Sequence, residues 1–459
     1  MTPELLTRFA RIVGEKQLLS DPADCWPYGY DNSRRHCLPE AVVFPATHQH
    51  VIEIIKLCNQ HSIALVARGR GTGTTGATVP LHGGLVASFE RMDRIVTIDP
   101  DNRVAVVEPG VTNLKLQEAL AEHGFFWPPD PTSAAYCTIG GNLAYNSAGP
   151  RAVKYGTPRE NTLGLRAVTG AGDDISTGVY TTKGVVGYDL TRLIIGSEGT
   201  LAVITQASLK LTPLQEAKRT MQAVYNNINE ASKAVSRIMA QSTIPCALEF
   251  MDASAIALAR NYSGIELPHD AVTLLMIEVD GNAVTMDAAI TQIKQAARND
   301  GLINFKIATT ADEVTQLWAA RKALSPALRT IAPKKINEDI VVPVSRIPDL
   351  ITGLESLARR YAITIVNFGH AGNGNIHVNL LVDPDDPAQM ENVKACLNGV
   401  FGLVLELQGT LSGEHGIGIE KRDFIEREID PVTLKLMRQI KAQFDPHNIL
   451  NPGKIFPLQ

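Results

Sequence analysis

The segment Arg68-Gly-Arg-Gly-Thr-Gly-Thr-Thr-Gly76 constrains the fold more than any other stretch of this chain. It holds a formal G-x-G-x-x-G at Gly71, Gly73 and Gly76, the spacing of a dinucleotide-binding turn. In a Rossmann unit that turn opens a helix. Here Gly76 is followed by Ala-Thr-Val-Pro-Leu-His-Gly-Gly, and Pro80, Gly83 and Gly84 forbid a regular helix. The Rossmann reading therefore fails on context. What remains is a loop rich in backbone N–H groups, with hydroxyls from Thr72, Thr74 and Thr75. Such a loop is either a flexible surface segment or a nest of N–H groups suited to a pyrophosphate.

The texture around the loop predicts an α+β protein. From about 40 to 213 the chain is strand-rich and punctuated by glycine, with helices expected at 48–60 (capped by Thr47) and 113–123 (capped by Thr112). From about 216 to 410 longer helical patterns alternate with β-like runs, as in helices packed on a sheet. With 459 residues, two or three domains are expected. The divisions are an N-terminal helical segment at 1–35, a glycine-rich domain at 36–215, an α+β domain at 216–410 and a C-terminal segment at 411–459.

The net charge of −5 comes without long basic or acidic runs, which argues against nucleic acid as a partner. There is no apolar run near eighteen residues, so no transmembrane helix is expected, and the N-terminus lacks the apolar core of a secretory signal. Six cysteines at 25, 37, 58, 137, 246 and 396 show no C-x-x-C spacing, which argues against an iron–sulfur cluster or zinc ribbon. Scattered thiols of this kind are expected as small core residues of a cytoplasmic enzyme, its membrane face included.

After the glycine loop come Pro109-Gly110-Val111, Pro131-Thr132-Ser133, Thr138-Ile139-Gly140-Gly141-Asn142, Asn146-Ser147-Ala148-Gly149 and Gly196-Ser197-Glu198-Gly199-Thr200-Leu201. In this order they resemble the vanillyl-alcohol-oxidase (PCMH) type of flavoprotein, and within it the D-lactate, D-2-hydroxyglutarate and glycolate dehydrogenase branch. The likeness runs over about residues 35–457. It implies that 36–215 binds FAD, that 216–410 is a substrate-binding cap, and that 411–459 returns to the flavin. Arg68, Gly69, Arg70, Gly71, Thr72, Gly73 and Thr74 would hold the pyrophosphate. Thr132, Ser133, Gly140, Gly141 and Asn142 would line the isoalloxazine and ribityl chain, with Glu198, Gly199 and Ile204 nearer the adenine side or the flavin edge. Pro109, Gly110, Pro131, Thr138, Asn146, Ala148, Gly149 and Asn451 complete the implied FAD positions. Some relatives attach FAD through His or Cys; the glycine loop offers neither, so non-covalent FAD is expected.

A second signal is Phe368-Gly-His370-Ala-Gly-Asn-Gly-Asn-Ile-His377-Val-Asn379, two β-like runs around Asn373-Gly374. Asn-Gly is the strongest short hairpin signal, as a two-residue type I′ turn. That turn would set His370 directly opposite His377, with Cβ atoms about 4.5–5.5 Å apart and imidazoles ready to clamp a divalent metal. Asn379 shares the His377 face and could contact a substrate.

Three glycines surround one acid and one imidazole in Ser412-Gly-Glu414-His415-Gly-Ile-Gly418. The resemblance implies that Glu414 completes the metal site and that His415 is the catalytic base. Zinc fits, and manganese, iron and cobalt use the same ligands. On the helical pattern 311–330, Arg321 and Ser325 are i and i+4 and share a face; a guanidinium grips a carboxylate through two parallel bonds, and the hydroxyl can add a third. Relatives acting on D-2-hydroxyglutarate place a lysine two residues before the Asp of the strand near 338–343. Here that place is Asn337, while Lys335 keeps the Asp339 face, which leaves open which of the two takes the lysine role. The implied reaction is oxidation of a D-2-hydroxy acid, D-lactate first, with D-2-hydroxyglutarate or glycolate as alternatives. No nicotinamide, heme or cluster motif is present, so a quinone, a cytochrome or an electron-transfer flavoprotein is the expected acceptor. A homodimer is compatible with all of this.

Overall fold

The computed structural model describes residues 1–263 and 266–457, except the side chains of 263, 320, 322 and 325. The expected substrate contact Ser325 therefore has a side chain outside the described residues. The chain divides into two units: one comprises 1–149, 155–214 and 414–459, the other 150–154 and 215–413.

In the first unit, β1 (Leu18–Leu19), β2 (Ala41–Val43), β3 (Leu65–Arg68) and β4 (Leu85–Ser88) form a sheet in the order β1-β2-β4-β3, parallel except for β1. The parallel strands are apolar on both faces, as strands covered on both sides must be. Val42, Val66 and Val86 pack with Cys25, while Val43, Leu65 and Leu85 pack with Val51, Ile54 and Ile55 of helix His48–Gln60. That helix starts where Thr47 accepts from the His50 amide. The next strands are β5 (Ile95–Asp99), β6 (Val104–Val107), β8 (Thr162–Thr169), β9 (Asp174–Gly178) and β10 (Ala202–Lys210). They form an antiparallel sheet in the order β5-β6-β10-β8-β9, and β7 (Phe125–Phe126) pairs with β11 (Thr212–Pro213). The pleat splits β10 between two cores, with Val203 joining the helix His48–Gln60 and Ala202 and Ile204 facing Leu116, Ile139 and Leu143.

The second unit is built on one antiparallel sheet. Its strands are β12 (Ala217–Tyr225), β13 (Ala247–Met251), β14 (Thr273–Gly281), β15 (Leu302–Ile307), β16 (Lys334–Val341), β17 (Thr364–His370) and β18 (Asn375–Val382). They run in the order β15-β12-β14-β13-β17-β18-β16. Alternation sends Val224, Met251, Leu274, Met276, Val366, Phe368 and Leu381 to one face, where helices Ala253–Ser263 and Ala311–Ile331 bury Ile256, Leu324 and Leu328 on them. The register then carries a polar patch along that same face. Glu249 pairs with His370 and His370 with Asn375; Phe368 pairs with His377 and His377 with Asp339.

That register corrects the two-residue Asn373-Gly374 turn and the direct opposition of His370 and His377. The connection is four residues long: Ala371–Asn373 form a 3₁₀ turn, and Gly374 takes a left-handed φ of 71° while its N–H donates to the Ala371 carbonyl at 3.1 Å. The reason is long-range, because a Cβ on Gly374 would lie 1.8 Å from the Val342 carbonyl oxygen just past β16. The two histidines end up diagonal rather than opposed, on one face still, with ring centroids 5.2 Å apart. Gly374→Ala should therefore cost at least about 1–3 kcal/mol from backbone strain alone, read as a lower unfolding midpoint; an unchanged midpoint would contradict the account of this turn.

Candidate active site

In the sheet unit, each imidazole has a carboxylate at Nδ1. Glu249 Oε1 meets His370 Nδ1 in a short hydrogen bond, and Asp339 Oδ1 stands 3.7 Å from His377 Nδ1. Asp339 is fully buried and also accepts from the Asn375 amide at 2.7 Å and the Gly413 N–H at 2.9 Å. At His370 the hydrogen-bonded carboxylate fixes the ring's orientation and raises its basicity, the arrangement found behind metal-ligating histidines, whereas Asp339 stands within ion-pair range of His377 but beyond hydrogen-bond range. The donor set thus fits a divalent cation, to which this unit would offer His370 and His377. Glu249 also accepts from Arg321 Nε at 2.9 Å. Burial pushes the Glu249 carboxyl up, but the His370 ring and the Arg321 guanidinium outweigh it and bring it down to about 2.

The neighbours of this patch are fixed by the same register. Asn379 shares the face, as expected, but it is fully buried and both amide hydrogens are used, on the Val366 and His377 carbonyls at 3.0 Å each; its Oδ1 accepts from Asn337 at 2.7 Å. Lys335 lies opposite Leu381, exposed, two and four residues along β16 from Asn337 and Asp339. Sequence reasoning missed Glu249. The available signal was one acid inside the apolar run Ala247-Leu-Glu-Phe-Met, since a carboxylate in such a strand needs charged partners.

The first unit carries a half-open cleft of roughly 630 Å³, open solvent at its mouth included. Of the residues expected at FAD, Arg68, Gly69, Pro109, Thr138, Gly140, Gly141, Glu198, Gly199 and Ile204 line it; Phe89, Tyr145, Ile194 and Val203 are additions that no motif announced. Thr138 caps the helix Ile139–Tyr145 and accepts from Gly141 N–H, and a Cβ on Gly69 would sit 2.4 Å from its hydroxyl, so only glycine lets the loop approach. The Arg68 guanidinium turns away and donates to the Tyr30 carbonyl at 2.7 Å. Arg70 pairs with Glu90 at 2.9 Å, and the Thr72 carbonyl accepts from Asn32 at 3.2 Å. Gly71, Gly73 and Thr74 are half-buried in the same loop, and Gly110 N–H donates to the Met92 carbonyl. Pro131 is buried, Ser133 half-buried and Thr132 exposed. Asn142 accepts from Asn113, and Asn146, left-handed at φ 56°, accepts from the Thr157 hydroxyl at 2.9 Å. Ala148 is buried, and the neighbouring Gly149 N–H donates to Glu414 Oε2 at 2.8 Å.

The segment carrying Glu414 and His415 is tied to this unit by Glu198. The Glu198 carboxylate is buried and accepts from Ile417 N–H at 2.6 Å and Gly418 N–H at 2.8 Å. Thr75 of the glycine loop donates its hydroxyl to the His415 carbonyl at 3.1 Å. Asn451 donates to the Ala77 and Glu198 carbonyls at 2.8 Å each and accepts from Lys454. Asn451 therefore supports Glu198 from the C-terminal segment.

Residues 39–178 match the family described as FAD binding domain, and residues 214–455 match FAD linked oxidases, C-terminal domain. The chain belongs to the FAD-linked oxidase family and is an FAD-binding oxidoreductase. It is 38% identical over 457 residues to glycolate oxidase subunit GlcD of Bacillus subtilis, covering 99% of this chain and 97% of that one. It is 37% identical over 445 residues to D-lactate dehydrogenase of Archaeoglobus fulgidus, covering 95% and 96%. The fold is that of p-cresol methylhydroxylase, at a TM-score of 0.79 and 17% identity over 98% of this chain and 96% of that one. This bears out the expected flavoprotein type. Among the described residues no helix is long and apolar enough to cross a membrane.

Burial pushes the Glu198 carboxyl from its ordinary 4.5 up to about 7, against the Ile417 and Gly418 amides and the Lys454 and Lys421 charges, which pull it down. A carboxyl raised in the folded state binds its proton more tightly folded than unfolded. Its contribution is therefore present below pH 4.5 and lost as pH climbs to about 7. Relative to Glu198→Gln, the parent should lose on the order of 1–3 kcal/mol across that window, read from urea unfolding midpoints; parallel pH profiles would contradict this.

Proposed function

We propose that the chain oxidises a D-2-hydroxy acid to the 2-oxo acid, with D-lactate to pyruvate the preferred reaction. Glycolate is the chief competitor, on the likeness to a glycolate oxidase subunit; D-2-hydroxyglutarate is the other. The observation that supports this best is the single sheet face holding two carboxylate-backed imidazoles beside the Arg321 guanidinium, in a chain of the FAD-linked oxidases.

In this reading the two Nη groups of Arg321, which are not part of its bond to Glu249, take the α-carboxylate as a fork. Ser325 and Lys335 add to the acid's binding, and Asn379 acts from beneath by holding the His377 carbonyl. His370, His377 and Glu414 would hold a divalent metal, zinc first, whose chemistry there is to lower the pKa of the substrate hydroxyl. His415 takes the hydroxyl proton as the general base. Bound FAD, held without a covalent bond, supplies the acceptor for the α-hydrogen and its electron pair. The onward acceptor we infer is a quinone, a cytochrome or an electron-transfer flavoprotein.

A panel of D-lactate, glycolate, D-2-hydroxyglutarate and D-malate with a dye acceptor tests the reading; no turnover on any of them ends it. His415→Ala should keep FAD and lose at least ~10²-fold in kcat, and a near-normal kcat would remove His415 from the proposal. His377→Ala should lose its metal by elemental analysis and keep FAD; unchanged metal content would break the ligand assignment.

A further inference from the structure

Glu249 has a place in this site that neither metal nor substrate binding alone explains. It sits on β13 with a side chain only 2% exposed. A buried carboxylate costs several kcal/mol unless partners offset it. Glu249 has two, one for each oxygen: Oε1 holds His370 Nδ1, and Oε2 accepts from Arg321 Nε at 2.9 Å. The first bond fixes the orientation of the His370 ring through Nδ1. The second fixes Arg321 at one edge, while its Cζ lies 4.6 Å from the centroid of the Phe368 ring. Edge and face are both held, so the remaining donors of the planar fork are pre-aimed. Phe368 is in turn the cross-strand partner of His377. Each residue that aims Arg321 thus also abuts one of the two imidazoles.

We propose that Glu249 is a positioning residue that joins the two halves of the site, holding the metal-binding imidazole and the carboxylate-binding guanidinium through one shared carboxylate, so that metal and 2-hydroxy acid bind interdependently. This rests on the function proposed above. A carboxylate that acted only through its charge would shift each affinity additively, so that the effects of the two substitutions would be independent. A shared carboxylate makes the coupling reciprocal: whatever changes Arg321 must change metal affinity, although Arg321 is not a ligand.

The test uses the FAD-loaded full chain with Glu249→Gln, Arg321→Leu and the double variant. Zn²⁺ affinity is read by competition with a chromophoric chelator, KM with D-lactate, or with glycolate where that is the acid turned over, and FAD content alongside. Glu249→Gln should weaken Zn²⁺ binding by ~10–100-fold and raise KM while FAD content stays the same. Arg321→Leu should shift Zn²⁺ affinity by at least ~3-fold, and the double variant should depart from the product of the two by a similar factor. Zn²⁺ affinity within ~2-fold of the parent in Glu249→Gln, or independent effects of the two substitutions, overturns the proposal. Should Glu249→Gln not fold, Arg321→Leu decides alone, and an unmoved Zn²⁺ affinity overturns it. A parent chain that binds no divalent metal ends the metal assignment and this inference together, whereas a metal-binding parent with unmoved variants ends the inference only.

Discussion

The buried Glu198 carboxylate, closed on the Ile417 and Gly418 amides, is the interaction on which the placement of Glu414 and His415 in the first unit depends. The segment it grips is glycine-rich and has no regular structure of its own over 412–418, so sequence propensity does nothing to place Glu414 and His415. Placement comes from outside. Glu198 holds two amides, Thr75 holds the His415 carbonyl, and Gly149 N–H meets the Glu414 carboxylate. Glu198 adopts φ 53°, a strained conformation for a non-glycine residue, and Asn451 stabilises it by donating to its carbonyl.

In the sheet unit the equivalent constraint is register. One face of β13, β17, β18 and β16 runs without interruption from the apolar core at Val366 and Phe368 to the polar group of Glu249, His370, His377 and Asp339. The core orders the backbone, and the polar side chains inherit that order. A slip of one residue in any of these pairings would turn the slipped strand's polar side chains to the opposite face and break up the set. The geometry of this polar group and the stability of the sheet are therefore set by the same hydrogen-bonded ladders.

What the sequence made legible was local. Thr47 and Thr112 cap their helices where expected, because a cap is a contact three residues away. The strand alternation that puts Lys335, Asn337 and Asp339 on one face is equally local. No helix follows Gly76, since Pro80 and the paired glycines deny one whatever packs around them. The failures lie where a distant segment decides. The motif at 138–142 carries no helix signal, because Gly140 and Gly141 hide the helix Ile139–Tyr145 and burial of Ile139 and Leu143 supplies its stability. The turn at Ala371–Gly374 is shaped by the Val342 carbonyl thirty residues away, which no two-residue rule contains. Glu249 is 121 residues from His370, and its partnership exists only once β13 and β17 pair.

We propose that the α-hydrogen of a D-2-hydroxy acid passes to bound flavin at a site that needs a divalent cation. The most direct test is anaerobic mixing of the FAD- and zinc-loaded chain with D-lactate, L-lactate, glycolate and D-2-hydroxyglutarate while flavin absorbance is followed, repeated after chelation. The account predicts bleaching by D-lactate, none by L-lactate, and loss of bleaching in the chelated protein until zinc is restored. Bleaching by L-lactate at the same rate, bleaching that chelation leaves untouched, or no bleaching by any of these acids would contradict it.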